Sequence, residues 1–135
     1  MSLTDEERKQ VVLYRLGKAH KTLADAQKVI EMEMWTTAAN RLYYAVYYAV
    51  SALLMANGIN AKTHEGIIRM FNMEYVAKGK MDRELGRQYN RLFSMRITGD
   101  YGDCFDLYEE DVRPMLEPAQ RLVEEVSRLA VEALR

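Results

Sequence analysis

Arg96 and His64 are the side chains of this sequence best suited to chemistry on a charged ligand. Counting about 100° per residue from Leu85, Tyr89 falls near roughly 40°, Leu92 near roughly 340° and Arg96 near roughly 20°. Arg96 therefore faces inward with the apolar stripe of its helix. A guanidinium keeps its charge there and needs a partner. Two kinds of partner fit: a structural carboxylate such as Asp100, or an anionic ligand, because the planar fork of arginine suits bidentate recognition of phosphate. His64 falls at the start of a predicted helix, where the helix dipole disfavours imidazolium. A neutral imidazole can act as a base; the plain alternative is a histidine of the capping region. His20, beside the stripe of the first helix, reads as structural. Arg83, Arg87 and Arg91 lie on the opposite face from Arg96, at roughly 160° to 240°. They read as solvated cations with the capacity to grip a phosphate backbone.

Other chemistries lack their residues. There is no Glu-x-x-His for a di-iron bundle site, no second histidine beside His64-Glu65 for a zincin, no glycine-rich phosphate loop and no Cys-x-x-Cys. No metal or cofactor is expected. Nine methionines fit as core filler.

The elements that must position Arg96 and His64 are helical. Thr4 and Glu7 form a capping box for a helix over 5–33, striped by Val12, Leu16, Ala19, Leu23, Ala26 and Ile30. Thr36 or Thr37 is the expected cap of a second helix. Leu42, Ala45, Ala49, Ala52 and Ala56 line one of its faces, Tyr43, Tyr44, Tyr47 and Tyr48 thicken the others, and Asn57-Gly58 ends it. Thr63 caps a shorter third helix with Ile67, Met70, Phe71 and Tyr75 inward, and Lys78-Gly79 ends it. Asp82 caps a fourth that runs to about Thr98, with Gly99 and Gly102 bracketing a break. A fifth helix carries Val112, Met115, Ala119, Leu122, Val126, Leu129 and Ala133. Pro114 fits its first turn, whereas Pro118 implies a kinked or delayed start. The expected fold is all-α: an antiparallel up-and-down bundle of four main helices plus one shorter helix. In such a bundle the start of the third helix and the end of the fourth meet, which gathers His64, Arg96, Asp100 and Tyr101.

Composition agrees with one such domain over 1–135. The chain has 135 residues, 49% hydrophobic and 29% charged, with two prolines and seven glycines. That excludes wholesale disorder, and one cysteine, Cys104, excludes a disulfide scaffold. Net charge is −1, so no global drive toward nucleic acid or an acidic membrane follows. Locally, residues 61–97 hold eight basic groups against four acidic, a net of +4, and residues 100–125 hold nine acidic against two basic, a net of −7. Leu42 to Ala56 is the most apolar run. It is shorter than the roughly 20 residues of a membrane span. A lone thiol and an N-terminus without an apolar signal core point to the cytoplasm.

Three segments together resemble the HEPN domain family in its small stand-alone prokaryotic branch. They are Asn40-Arg41-Leu42-Tyr43-Tyr44-Ala45, Thr63-His64-Glu65-Gly66 and Arg96-x-x-Gly99-Asp100-Tyr101, and the resemblance spans residues 8–130. It implies a dimerising all-α bundle, frequent pairing with a minimal nucleotidyltransferase as a toxin–antitoxin module, and, in active members, metal-independent endoribonuclease activity. Those members use an arginine and a histidine with four to six residues between them. Here Arg96 matches the arginine, but Tyr101, Gly102 and Asp103 stand where the histidine would be, and Ile97 follows the arginine. A tyrosine titrating near 10 is a poor base at neutral pH. His64 is the local substitute.

The resulting expectation is a nucleotide- or RNA-phosphate-binding and partner-docking module, with Arg96, Asp100, Arg41, Asn40 and Tyr44 at the phosphate. The alternatives are a ribonuclease toxin using Arg96 with His64 or Tyr101, and a structural domain without a ligand. A homodimer is expected because the second helix carries more tyrosines than one slim core needs.

Overall fold

Thr4 starts the first helix as its capping box requires: its hydroxyl accepts from Glu7 N at 3.1 Å, and its own amide donates to the Glu7 carboxylate at 2.9 Å. The computed structural model describes residues 3–100 and 106–135, with residues 98–100 described through their backbone alone. Its helices are α1 (Asp5–Glu31), α2 (Trp35–Ala56), α3 (His64–Phe71), α4 (Arg83–Asp100), α5 (Glu109–Val112) and α6 (Leu116–Ala133). A π-type turn, Asn72–Val76, extends α3, and a 3-10 turn, Arg113–Met115, joins α5 to α6. No strand occurs among the described residues.

The α2 helix is the spine of the bundle and packs against α1, α3, α4 and α6. Its small residues make this possible: Ala38, Ala39, Ala45, Ala49 and Ala52 are fully or almost fully buried, so neighbouring backbones can approach. Leu42, Val46, Val50 and Leu53 fill the space between. The α1 and α2 helices run antiparallel. Arg8 lies at Gly58, Arg15 bonds Ser51 and Lys18 stands over Tyr48, so numbers rise along one helix as they fall along the other. Leu85, Tyr89 and Leu92 of α4 are buried as their spacing requires, while Arg83, Arg87 and Arg91 are exposed.

Several boundaries differ from the sequence reading. The N-cap of α2 is Met34, without a side-chain cap; Thr36 and Thr37 lie inside the first turn. Glu33, with φ +58°, makes the reversal between α1 and α2 instead. On α1 the buried residue between Ala19 and Ala26 is Thr22 rather than Leu23; its hydroxyl is satisfied by the Lys18 carbonyl at 2.7 Å. Gly99 does not break α4, which continues to Asp100. The two prolines do divide the last helix. Pro114 sits in the 3-10 turn and Pro118 in the first turn of α6, where a missing N–H removes no intrahelical bond. Leu129 and Ala133, expected inside, are only half-buried.

Candidate functional site

The chain places His64 against the middle of α2, not at its end. Gly58, with φ +69°, turns the chain as the sequence implied, and residues 59–63 then run back along α2 without regular structure. Five extended residues reach about 17 Å. The nine residues from Ala56 back to Tyr47 rise about 14 Å. The connection is therefore long enough to deliver His64 to Tyr47. Thr63 stops it there: its hydroxyl accepts from Gly66 N at 2.9 Å and makes His64 the first residue of α3. Gly66 is needed at that cap, because a Cβ would sit 2.9 Å from the Thr63 hydroxyl.

Tyr43 anchors the imidazole. Its hydroxyl lies 2.6 Å from His64 Nδ1. The His64 ring stacks on Tyr47, with centroids 4.3 Å apart and planes 18° apart, and meets Tyr44 edge-on at 5.7 Å. Tyr43 is fully buried, and burial pushes its phenol well above the ordinary tyrosine range, with the Arg96 charge pulling weakly the other way. The phenol therefore stays neutral and meets the imidazole as a hydroxyl. That fixes the ring's orientation. Burial likewise raises the Tyr47 phenol, against the opposing charge of Arg15.

The same rings receive the arginines. The Arg96 guanidinium stands 5.7 Å from the centroid of Tyr43 and 5.7 Å from that of Tyr44. Arg41 stands 5.5 Å from Tyr44. Its Nε and Nη2 both donate to the Asn40 side-chain oxygen, at 3.1 and 2.8 Å, so Asn40 orients the fork. Each cation–ring interaction contributes on the order of 0.5–2 kcal/mol, enough to hold a guanidinium in place. Two guanidinium groups and one imidazole thus converge on Tyr43 and Tyr44. The arrangement can receive a phosphate between cations and offer a histidine nitrogen beside it.

Of the residues singled out in the sequence, Arg96, His64, Arg41, Asn40 and Tyr44 come together here. The side chain of Asp100 and all of Tyr101, Gly102, Asp103 and Cys104 lie outside the described residues. His20 is exposed and 3.4 Å from the Ser127 hydroxyl, away from the site. Tyr43 and Tyr47 read in the sequence only as packing. The signal for them is spacing: i and i+4 on one face of an alanine-rich helix, beside the Asn40-Arg41 pair. No group of three or more potential metal ligands occurs among the described residues, and no described helix is long and apolar enough to cross a membrane.

A model of the HEPN domain matches residues 12–129. A Thermotoga maritima protein named "UPF0332 protein" is 37% identical over 129 residues, covering 96% of this chain and 98% of that one. Two proteins of Methanocaldococcus jannaschii are also similar. "Putative toxin MJ0142" is 32% identical, covering 75% of this chain and 69% of its own. "Putative toxin MJ0605" is 28% identical, covering 86% of each.

Proposed function

This chain belongs to the HEPN domain family, and from that premise we propose that it binds RNA phosphate and docks a partner protein in a toxin–antitoxin type of system. The observation that carries this reading is the convergence of Arg41 and Arg96 on the ring of Tyr44, with His64 at its edge. Two forks on one aromatic platform suit a phosphate with a base stacked nearby. The names of the two archaeal relatives support the toxin–antitoxin setting. For the partner we propose a minimal nucleotidyltransferase, as the family resemblance implies. Co-purification with the tagged chain from its own host identifies it.

The RNA reading is tested by fluorescence anisotropy with a short single-stranded RNA in EDTA. Removing a charge-assisted hydrogen bond costs about 1.5–3 kcal/mol, so Arg96→Ala should weaken binding about tenfold or more. Equal affinity in the wild type and Arg96→Ala contradicts it.

A second reading, metal-independent endoribonuclease activity, draws on the Tyr43–His64 hydrogen bond. In the tautomer whose Nδ1–H donates to the Tyr43 oxygen, Nε2 is the basic nitrogen and would take the proton of a ribose 2′-hydroxyl. That oxygen then closes on phosphorus, and the 5′-oxygen leaves with a proton from solvent. Arg96 would carry the charge on the phosphoryl oxygens. Cleavage in EDTA that is abolished in both His64→Ala and Arg96→Ala supports this reading. No cleavage of several RNAs by the wild type removes it and leaves the binding module.

A further inference from the structure

The reversal between α1 and α2 leaves an apolar group in solvent at one end of the bundle. Met32 is 67% exposed and Met34 43%, and the half-buried ring of Trp35 follows them at the first position of α2. The Arg113 guanidinium stands over that ring, 5.2 Å from its centroid. Its Nε donates to the Glu109 carboxylate at 3.2 Å, so the ring is held and α5 stands beside it. Carboxylates flank the group: Glu31 and Glu33 on either side of Met32, and Glu109, Glu110 and Asp111 in the first turn of α5. Against these stand Arg113, already paired, and Lys28 in the last turn of α1. Glu31 and Glu33 take part in no ion pair among the described residues. The dipole ends of α1 and α2 that meet here are of opposite sign and offset one another, so the carboxylates set the local field.

We propose that this end of the bundle docks a basic segment of a partner protein that carries apolar side chains on one face. The residue types select that occupant. Methionine side chains adapt to the apolar shape that meets them, and a fixed tryptophan beside them gives a rigid anchor. The acidic rim attracts lysine and arginine and repels RNA and anionic lipid. The phosphate site has the opposite character, with Arg41, Arg96 and His64 suited to an anion. Arg41 lies six residues beyond Trp35, about 9 Å along α2, so a partner seated here would stand beside the RNA site without occupying it. This surface rests on the partner-docking reading and gives it a place and a charge.

Trp35 is the single tryptophan of the chain, so its fluorescence reports on this surface directly. The probe is a short amphipathic peptide of leucine and lysine, titrated into the full chain beside the same peptide with every lysine replaced by glutamate. The lysine peptide should move Trp35 emission to shorter wavelength and saturate, and the glutamate peptide should leave it unchanged. Met32→Ser combined with Met34→Ser should weaken lysine-peptide binding tenfold or more, while RNA affinity in that variant stays as in the wild type. Glu31→Lys combined with Glu33→Lys should weaken peptide binding as much. Trp35 emission that ignores the lysine peptide overturns the surface, and so does equal affinity in either double variant. A host protein that co-purifies equally with wild type and the methionine variant upholds docking but overturns this surface. Lysine-peptide binding at Trp35, with no host protein recovered by the wild type, keeps the surface and removes the nucleotidyltransferase partner.

Discussion

Tyr43 joins the two candidate functional side chains through one buried ring. Its hydroxyl orients His64, and its face carries Arg96. A raised phenol gives a definite sign in pH. The folded protein holds Tyr43 and Tyr89 neutral by burial, while in the unfolded chain they ionise near the ordinary tyrosine value of about 10. Their contribution to stability is complete below that value and is lost progressively as pH rises from it toward the raised folded values. Urea unfolding should show stability falling between about pH 9.5 and 11. Tyr43→Phe should flatten that fall while costing about 1 kcal/mol at neutral pH from the missing hydrogen bond. An alkaline slope equal to wild type in Tyr43→Phe contradicts the burial argument. At this scale the sequence was informative where a residue broke a pattern. Arg96 on an apolar stripe stood out because charge is conspicuous there. Tyr43 did not, because a tyrosine among alanines looks like any large core residue. Only the folded arrangement brings its hydroxyl to His64.

At the level of elements, the cap of α3 and the turn that ends α2 decide where His64 lands. Thr63→Ala should cost about 1 kcal/mol in stability, the usual loss of an N-cap. It should also weaken RNA binding, because the imidazole loses its fixed starting point. A variant that loses stability but binds RNA as the wild type does would show that the cap is structural only. Gly58→Ala faces both a left-handed backbone and Arg8, whose Nη1 would lie 3.2 Å from the added Cβ. Thermal unfolding should show a loss of about 1 kcal/mol or more. An unchanged melting temperature would mean that this turn has room to relax. These punctuation marks were legible: Thr4, Gly58, Thr63, Gly79 and Asp82 all mark element ends as their chemistry implies. The register of the connection was not legible. Residues 59–63 carry no periodicity, so the sequence placed His64 at the bundle end. The extended backbone instead returns it to the middle of α2. Thr36 and Thr37 were misleading for a related reason: either is a good cap in isolation, but the tight reversal at Glu33 starts the helix earlier.

For the molecule as a whole, the nearly balanced charge shapes how it can meet RNA. A net charge of −1 provides no general attraction, so binding must come from a few placed cations. If Arg96 and Arg41 each neutralise a phosphate, the logarithm of affinity should fall against the logarithm of salt with a slope of about −1.4. A slope several times steeper would implicate the exposed arginines of α4 instead. The family resemblance implies a homodimer, which would present two copies of the site. The tyrosines that suggested an interface pack against one another and His64, with Tyr44, Tyr47 and Tyr48 half-buried. Light scattering at micromolar concentration should give twice the chain mass of 15.7 kDa. A monomer would mean that each chain works with a single site. The helical class was plain in the sequence because five stripes with few breakers allow little else. The assembly was not, because half-buried rings serve an intramolecular cluster and an interface equally well.

In the proposed RNA complex Arg96 and His64 address the same phosphate. This is tested most directly by following the Arg96 guanidinium and the His64 imidazole in one NMR titration with a short single-stranded RNA. Both side-chain signals should move together and saturate at the same RNA concentration, with the His64 shift abolished in Arg96→Ala. Movement of neither signal, or of His64 undiminished in Arg96→Ala, would contradict it.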